Sequence, residues 1–140
     1  KILENGFCYK IAPDKPEIYF KIDTGKMIVE GKNIYNSEND FIKDRRKISF
    51  EGLVLISIII NKDYSIHKEI KISQNGLAIG NLEILKQFLK ENFINQYTEF
   101  SNDQKSSDTI ISDLIKKIVR KFTKNEIGKK PEVSVHIVRI

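Results

Sequence analysis

Apolar and polar positions alternate differently on the two sides of about residue 50. From Gly6 to Gly31 the pattern is short β-rich runs broken by turns. Phe7-Cys8-Tyr9-Lys10-Ile11, Ile18-Tyr19-Phe20-Lys21-Ile22 and Met27-Ile28-Val29-Glu30 read as strands. Pro13-Asp14-Lys15-Pro16 and Asp23-Thr24-Gly25-Lys26 separate them, with the proline and aspartate chemistry that turns favour. Lys32 to Asp40 is polar and reads as a linker, and Phe41 to Ser49 suits one or two helical turns.

Leu53 to Asn61 is a nearly continuous β-branched run, which predicts a central strand covered on at least one face. Lys62-Asp63-Tyr64-Ser65 reads as a turn, and Ile66 to Ile72 as a half-buried strand closing a hairpin. Gln74-Asn75-Gly76 is a loop signal. Asn81 is placed to cap a helix from Leu82 to about Gln96, with Leu82, Leu85, Leu89 and Phe93 on one stripe. Ser101 to Ser107 is polar, turn-like and long enough for mobility. Ser107 or Asp108 caps a second helix from Thr109 to about Asn125, striped by Ile111, Leu114, Ile115, Ile118 and Phe122 and ended by Gly128 and Pro131. Val133, Val135, Ile137 and Ile140 mark a last strand. The predicted class is α+β: a small three-stranded sheet in the order β-β-α-α-β with two helices on one face, preceded by short strands and a linker.

Composition narrows the class. The 140 residues, 40% hydrophobic and 31% charged, suit one domain with an appendage and exclude a disordered chain. The longest apolar run, Leu53 to Ile60, is too short to span a membrane. The chain opens on Lys1, which predicts a piece cut from a longer protein. One cysteine, Cys8, leaves no intramolecular disulfide framework. The net charge of +5 is mild, and the 20 lysines, 4 arginines, 25 isoleucines and two alanines match the bias of AT-rich coding sequence.

Candidate chemistry is sparse. His67, His136 and Cys8 lie far apart in sequence and lack the close ligand pairs of zinc sites; the two histidines could still meet on neighbouring strands, although partly exposed strand positions account for them more simply. Cys8 sits in an apolar stretch, as a small core residue does. No nucleophile elbow, P-loop or dinucleotide glycine motif occurs. Glu69, Glu83, Glu91 and Asp113 have no context marking an acid–base pair. The expected site residues are therefore none catalytic and none metal-binding. The one clustered feature is cationic. Lys116, Lys117, Arg120, Lys121, Lys124, Lys129 and Lys130 stand against one acid, Glu126. At 100° per residue, positions 116, 117, 120 and 124 lie opposite the apolar stripe and 121 flanks it. Phosphate contact along RNA and a solvated lysine face near a helix C-terminus both fit that pattern.

The segment Asp44-Arg45-Arg46-Lys47-Ile48-Ser49-Phe50-Glu51-Gly52-Leu53-Val54 resembles the start of the C-terminal domain of the ribonuclease J family. Leu3-Glu4-Asn5-Gly6, Gly25 to Gly31, and Lys129-Lys130-Pro131 with the alternating strand after it resemble further stations of that family, in order. The chain departs from it after Gly31, where the family linker is glycine-rich, and at Ser73-Gln74-Asn75-Gly76-Leu77, which lacks an arginine. The resemblance implies a zinc-dependent ribonuclease with 5′-to-3′ exonuclease and endonuclease activity, whose ligands lie upstream in a metallo-β-lactamase domain carrying a β-CASP insertion. This fragment would hold no cofactor. It implies the division 1–31 as the tail of the metallo-β-lactamase domain, 32–51 as linker and 52–140 as C-terminal domain. The C-terminal domain would support oligomerisation and activity in the cytoplasm. Its partners would be the catalytic domains, further copies of itself and, through the whole enzyme, RNA, with no membrane. Arg45 and Arg46 at the junction suit structural or interdomain hydrogen bonds, since a guanidinium fork ties several acceptors at once. The alternative is a basic RNA-binding module using the Lys116–Lys130 face.

Overall fold

The computed structural model describes residues 4–13, 17–67 and 69–140, and the expected turn at Pro13-Asp14-Lys15-Pro16 lies mostly outside them. The chain divides into two compact units, residues 1–43 and 44–140.

The first unit holds two hairpins. β1 (Phe7–Lys10) pairs antiparallel with β2 (Glu17–Lys21), with a register shift between Cys8 and Tyr9. β3 (Met27–Glu30) pairs antiparallel with β4 (Asn33–Asn36). Within the stretch 32–40, which the sequence reads as a linker, Asn33–Asn36 forms a strand. Glu30 faces Asn33 across a two-residue loop, and Gly31 adopts the φ of 58° that such loops favour. Ile28 and Tyr35 pair on the half-buried face, and the Tyr35 ring meets Phe41 edge-on at 4.7 Å. The helix α1 (Asp40–Glu51) follows, longer than the one or two turns expected.

The second unit contains the core. β5 (Leu53–Ile60) is the centre of a three-stranded sheet, flanked by β6 (Lys71–Asn75), antiparallel, and β7 (Glu132–Arg139), parallel. Val54, Ile56, Ile58 and Ile60 are buried on one face of β5, and Val133 of β7 joins them. Against that face pack α2 (Leu82–Thr98), through Leu85, Leu89, Phe93 and Tyr97, and α4 (Asp108–Ile127), through Ile111, Leu114, Ile115, Ile118, Val119 and Phe122. The α+β class, the three-strand sheet and the two-helix layer agree with the sequence pattern.

Caps set the helix limits. Asn81 Oδ1 accepts the Glu83 amide at 2.9 Å, Ser107 caps α4, and Gly128 ends it in the left-handed conformation. Two expectations change. The hairpin strand is displaced from 66–72 to 71–75, so Gln74 and Asn75 belong to the sheet. Ile66 still bridges to Ile60, but between Ile66 and Lys71 the chain carries two more residues than β5 does between Ser57 and Ile60, which breaks the ladder. The polar stretch after Phe100 is the short helix α3 (Asn102–Ser106). It is held by a reciprocal capping box in which the Ser101 and Gln104 side chains each accept the other's backbone N–H.

Candidate functional site

α4 places the cationic residues. Its apolar stripe is sunk in the core, so the opposite face must meet water. Lys117, Lys121 and Lys124 are exposed, and Lys116 and Arg120 are half-buried at the flanks. With Lys130 and Asp113 these five line one shallow surface depression. Asp113 approaches Lys116 at 3.9 Å. Lys117, Lys121 and Lys124 make no ion pair with any described residue.

The depression has a fixed wall. Arg120 Nε donates to the Pro131 carbonyl at 3.3 Å, and Arg120 Nη2 donates to Glu132 Oε2 at 3.4 Å. Lys47, from α1, donates to the same carboxylate oxygen. The Lys47 hydrogen bond, then the Lys47 and Arg120 charges, hold the Glu132 carboxyl below the usual glutamate range, although partial burial opposes them. Of the seven cations expected to act together, Lys129 is turned elsewhere: its Nζ donates to the Phe50 carbonyl at 2.8 Å, near the C-terminus of α1. The Lys130 amide donates to Glu51 Oε2 at 2.9 Å. The Lys47–Glu132–Arg120 bridge was not visible in sequence, because its members are far apart in the chain and only the fold joins them. The same holds for Arg139. It donates to Asp108 at 2.6 Å and to the Lys105 and Ser106 carbonyls at 3.0 Å, tying the end of β7 to the α3–α4 junction.

The other candidates stay apart. His67 is exposed beside β5 on the β6 side, where its amide donates to the Ile59 carbonyl, and exposed His136 pairs with Ser57 from the β7 side. The central strand therefore lies between the two histidines. Among the described residues no three His, Cys, Asp or Glu side chains come together to hold a metal ion. Cys8 is half-buried. Glu83 pairs with Lys86 at 3.8 Å and Glu91 accepts from Gln87 at 3.0 Å. Arg45 and Arg46 are both exposed on α1.

A second surface is apolar. With both helices on one side of the sheet, the other face carries Leu55, which is exposed, and Leu53, Ile59 and Val138, which are half-buried, beside Ser57, Ser73, Ser134 and His136. No helix among the described residues is long and apolar enough to cross a membrane.

The sequence is also similar to known proteins. The family profile of the ribonuclease J C-terminal domain matches residues 40–140. Ribonuclease J of Sinorhizobium meliloti is 24% identical over 140 residues, a match that covers 99% of this chain and 25% of that protein. The chain thus spans about a quarter of the length of the curated relative it matches.

Proposed function

The chain belongs to the ribonuclease J family through its C-terminal domain, and from that premise we propose that it is a non-catalytic support domain of a ribonuclease J. The full enzyme would be a cytoplasmic, zinc-dependent ribonuclease of RNA processing and decay, acting as 5′-to-3′ exonuclease and as endonuclease. Its metal would sit in upstream metallo-β-lactamase and β-CASP domains. Residues 1–31 would be the tail of that catalytic portion and 32–51 the connection to it, with Arg45 and Arg46 bonding across the junction. The domain's contribution would be assembly into homo-oligomers and, through assembly, full activity.

The observation that carries this reading is the one-sided sheet. Helices cover one face, while the other presents Leu55 at 38% exposure with Leu53, Ile59 and Val138 around it. Apolar groups left on a sheet face gain free energy when a second surface removes them from water, at about 25 cal/mol per Å². The test is the mass of the chain in solution by light scattering, with L55K and I59K alongside, and the same changes and a deletion of 40–140 in the full enzyme. Assembly that the two lysine variants abolish, with activity falling in step, supports the role. A monomeric chain, together with a deleted enzyme that is still oligomeric and active, defeats it.

A further inference from the structure

The depression on α4 concentrates charge in a way that the composition of the chain does not require. Lys116, Lys117, Arg120, Lys121, Lys124 and Lys130 line it against the single acid Asp113. Six cations and one acid equal the formal surplus of +5 carried by the whole chain, so the remaining residues balance to zero. Lysine enrichment raises the charge along the whole sequence, yet outside this lining 18 cations are balanced in number by 18 acids.

From this we infer that the α4 face is a binding site for the phosphodiester backbone of RNA. Three features select that ligand. Lys117, Lys121 and Lys124 succeed each other by four and three residues, about 6 and 4.5 Å along the helix axis, a line of point charges suited to successive phosphates. Arg120, bonded to the Pro131 carbonyl and Glu132, fixes one wall, while the three exposed lysines pair with no described acid, so their long side chains are open to a chain of phosphates. The lining holds no aromatic ring for base stacking, so contact is with the backbone and independent of sequence. A membrane surface is disfavoured, because the lining offers charge without any apolar side chain to insert. The choice of RNA among polyanions rests on the ribonuclease J reading, whereas the anion site itself rests only on the geometry of α4.

The experiment is fluorescence anisotropy of the 140-residue chain with a labelled 20-nucleotide single-stranded RNA of mixed sequence, between 50 and 300 mM salt. The triple variant K117Q/K121Q/K124Q is compared with a control of equal charge loss, K10Q/K26Q/K32Q, whose lysines are exposed in the first unit. The expected result is binding whose log–log salt slope falls by about 2 in the α4 triple, at about 0.7 per phosphate contact, with affinity at least tenfold weaker at 50 mM salt. The control should keep the wild-type slope. Each of K117Q, K121Q and K124Q alone should lower the slope by about 0.7, which keeps the test valid if the triple variant is poorly folded. No RNA binding, equal losses in the two triples, or binding to phosphatidylglycerol vesicles in place of RNA would overturn the site. Oligomeric mass, read on the same samples, reports on the assembly role separately.

Discussion

Gly52 joins three elements at one residue. Its amide donates to the Ile48 carbonyl at the end of α1, its carbonyl accepts from Glu132 of β7 at 3.0 Å, and β5 begins at the next residue. Its φ is 81°, where an L-residue costs about 1–2 kcal/mol. A Cβ there would stand 2.6 Å from Leu77 Cγ, 2.7 Å from Leu77 Cδ2 and 3.0 Å from the Gly76 carbonyl oxygen. Leu77 is buried in the core and cannot simply swing into water, so overpacking adds about 1–3 kcal/mol. Gly52→Ala should therefore lose about 3 kcal/mol in urea unfolding followed by far-UV circular dichroism, with Tm lower by roughly 10 °C. The two contributions can be separated. Leu77→Ala alone should cost about 2–5 kcal/mol, but it removes both clashing atoms. The double variant should then be more stable than the sum of the single losses implies, by about 1–3 kcal/mol, while the backbone cost remains. Losses that add to within about 0.5 kcal/mol, or a Gly52→Ala variant within 1 kcal/mol of wild type, would show that Leu77 does not press on this turn.

Phe93→Ala empties the centre of the core, where Phe93 is fully buried, and should cost about 3–5 kcal/mol by the same urea assay. Glu132→Gln should cost about 1 kcal/mol at neutral pH, because the carboxylate is one-third exposed and its ion pairs are partly screened. The folded carboxyl titrates below its ordinary 4.5, so the stability it contributes is present above that value and disappears as pH falls through the lower folded one. The gap between wild type and E132Q should close in melts taken from pH 5 downward. A chelator should leave the Tm of the chain unchanged, since no three ligands converge among the described residues, and a fall of several degrees would reveal a structural metal.

What sequence could reveal was set by whether the signal was local. β5 announced itself through a β-branched run, α2 and α4 through stripes bounded by Asn81, Ser107 and Gly128, and β7 through alternation. Each of those patterns is contained within its own element. β4 is hard to read from sequence because strand-disfavouring Asn33 and Asn36 bracket Ile34 and Tyr35 within a polar stretch, and its register with β3 completes it. α3 carried its own signature, Ser101 and Gln104 at capping-box spacing, but no apolar run followed to give that spacing weight. The hairpin slipped because an irregular insertion before Lys71 is invisible to a period-two count. At the candidate site, the angular count on α4 placed 116, 117, 120, 121 and 124 together, as found. It had no means of seeing that Lys129 would reach back to the Phe50 carbonyl, or that Arg120 would be anchored by Glu132.

The same geometry separates the two proposed surfaces. α4 buries its stripe against the inner face of the sheet and turns its lysines outward. Leu55 and Ile59 occupy the outer face of β5, across the sheet from the helix layer. On the proposed roles, a lysine on the outer face would perturb assembly without touching the cationic line, and a glutamine on α4 would remove charge without altering the apolar face. Both sets lie outside the core, where substitutions usually cost little stability. If the domain raised activity only by assembling the enzyme, the α4 variants would remain oligomeric and fully active. If the cationic face also holds RNA, they would remain oligomeric but lose activity most at low salt, where the removed phosphate contacts contribute most, and the gap to wild type would narrow as salt rises.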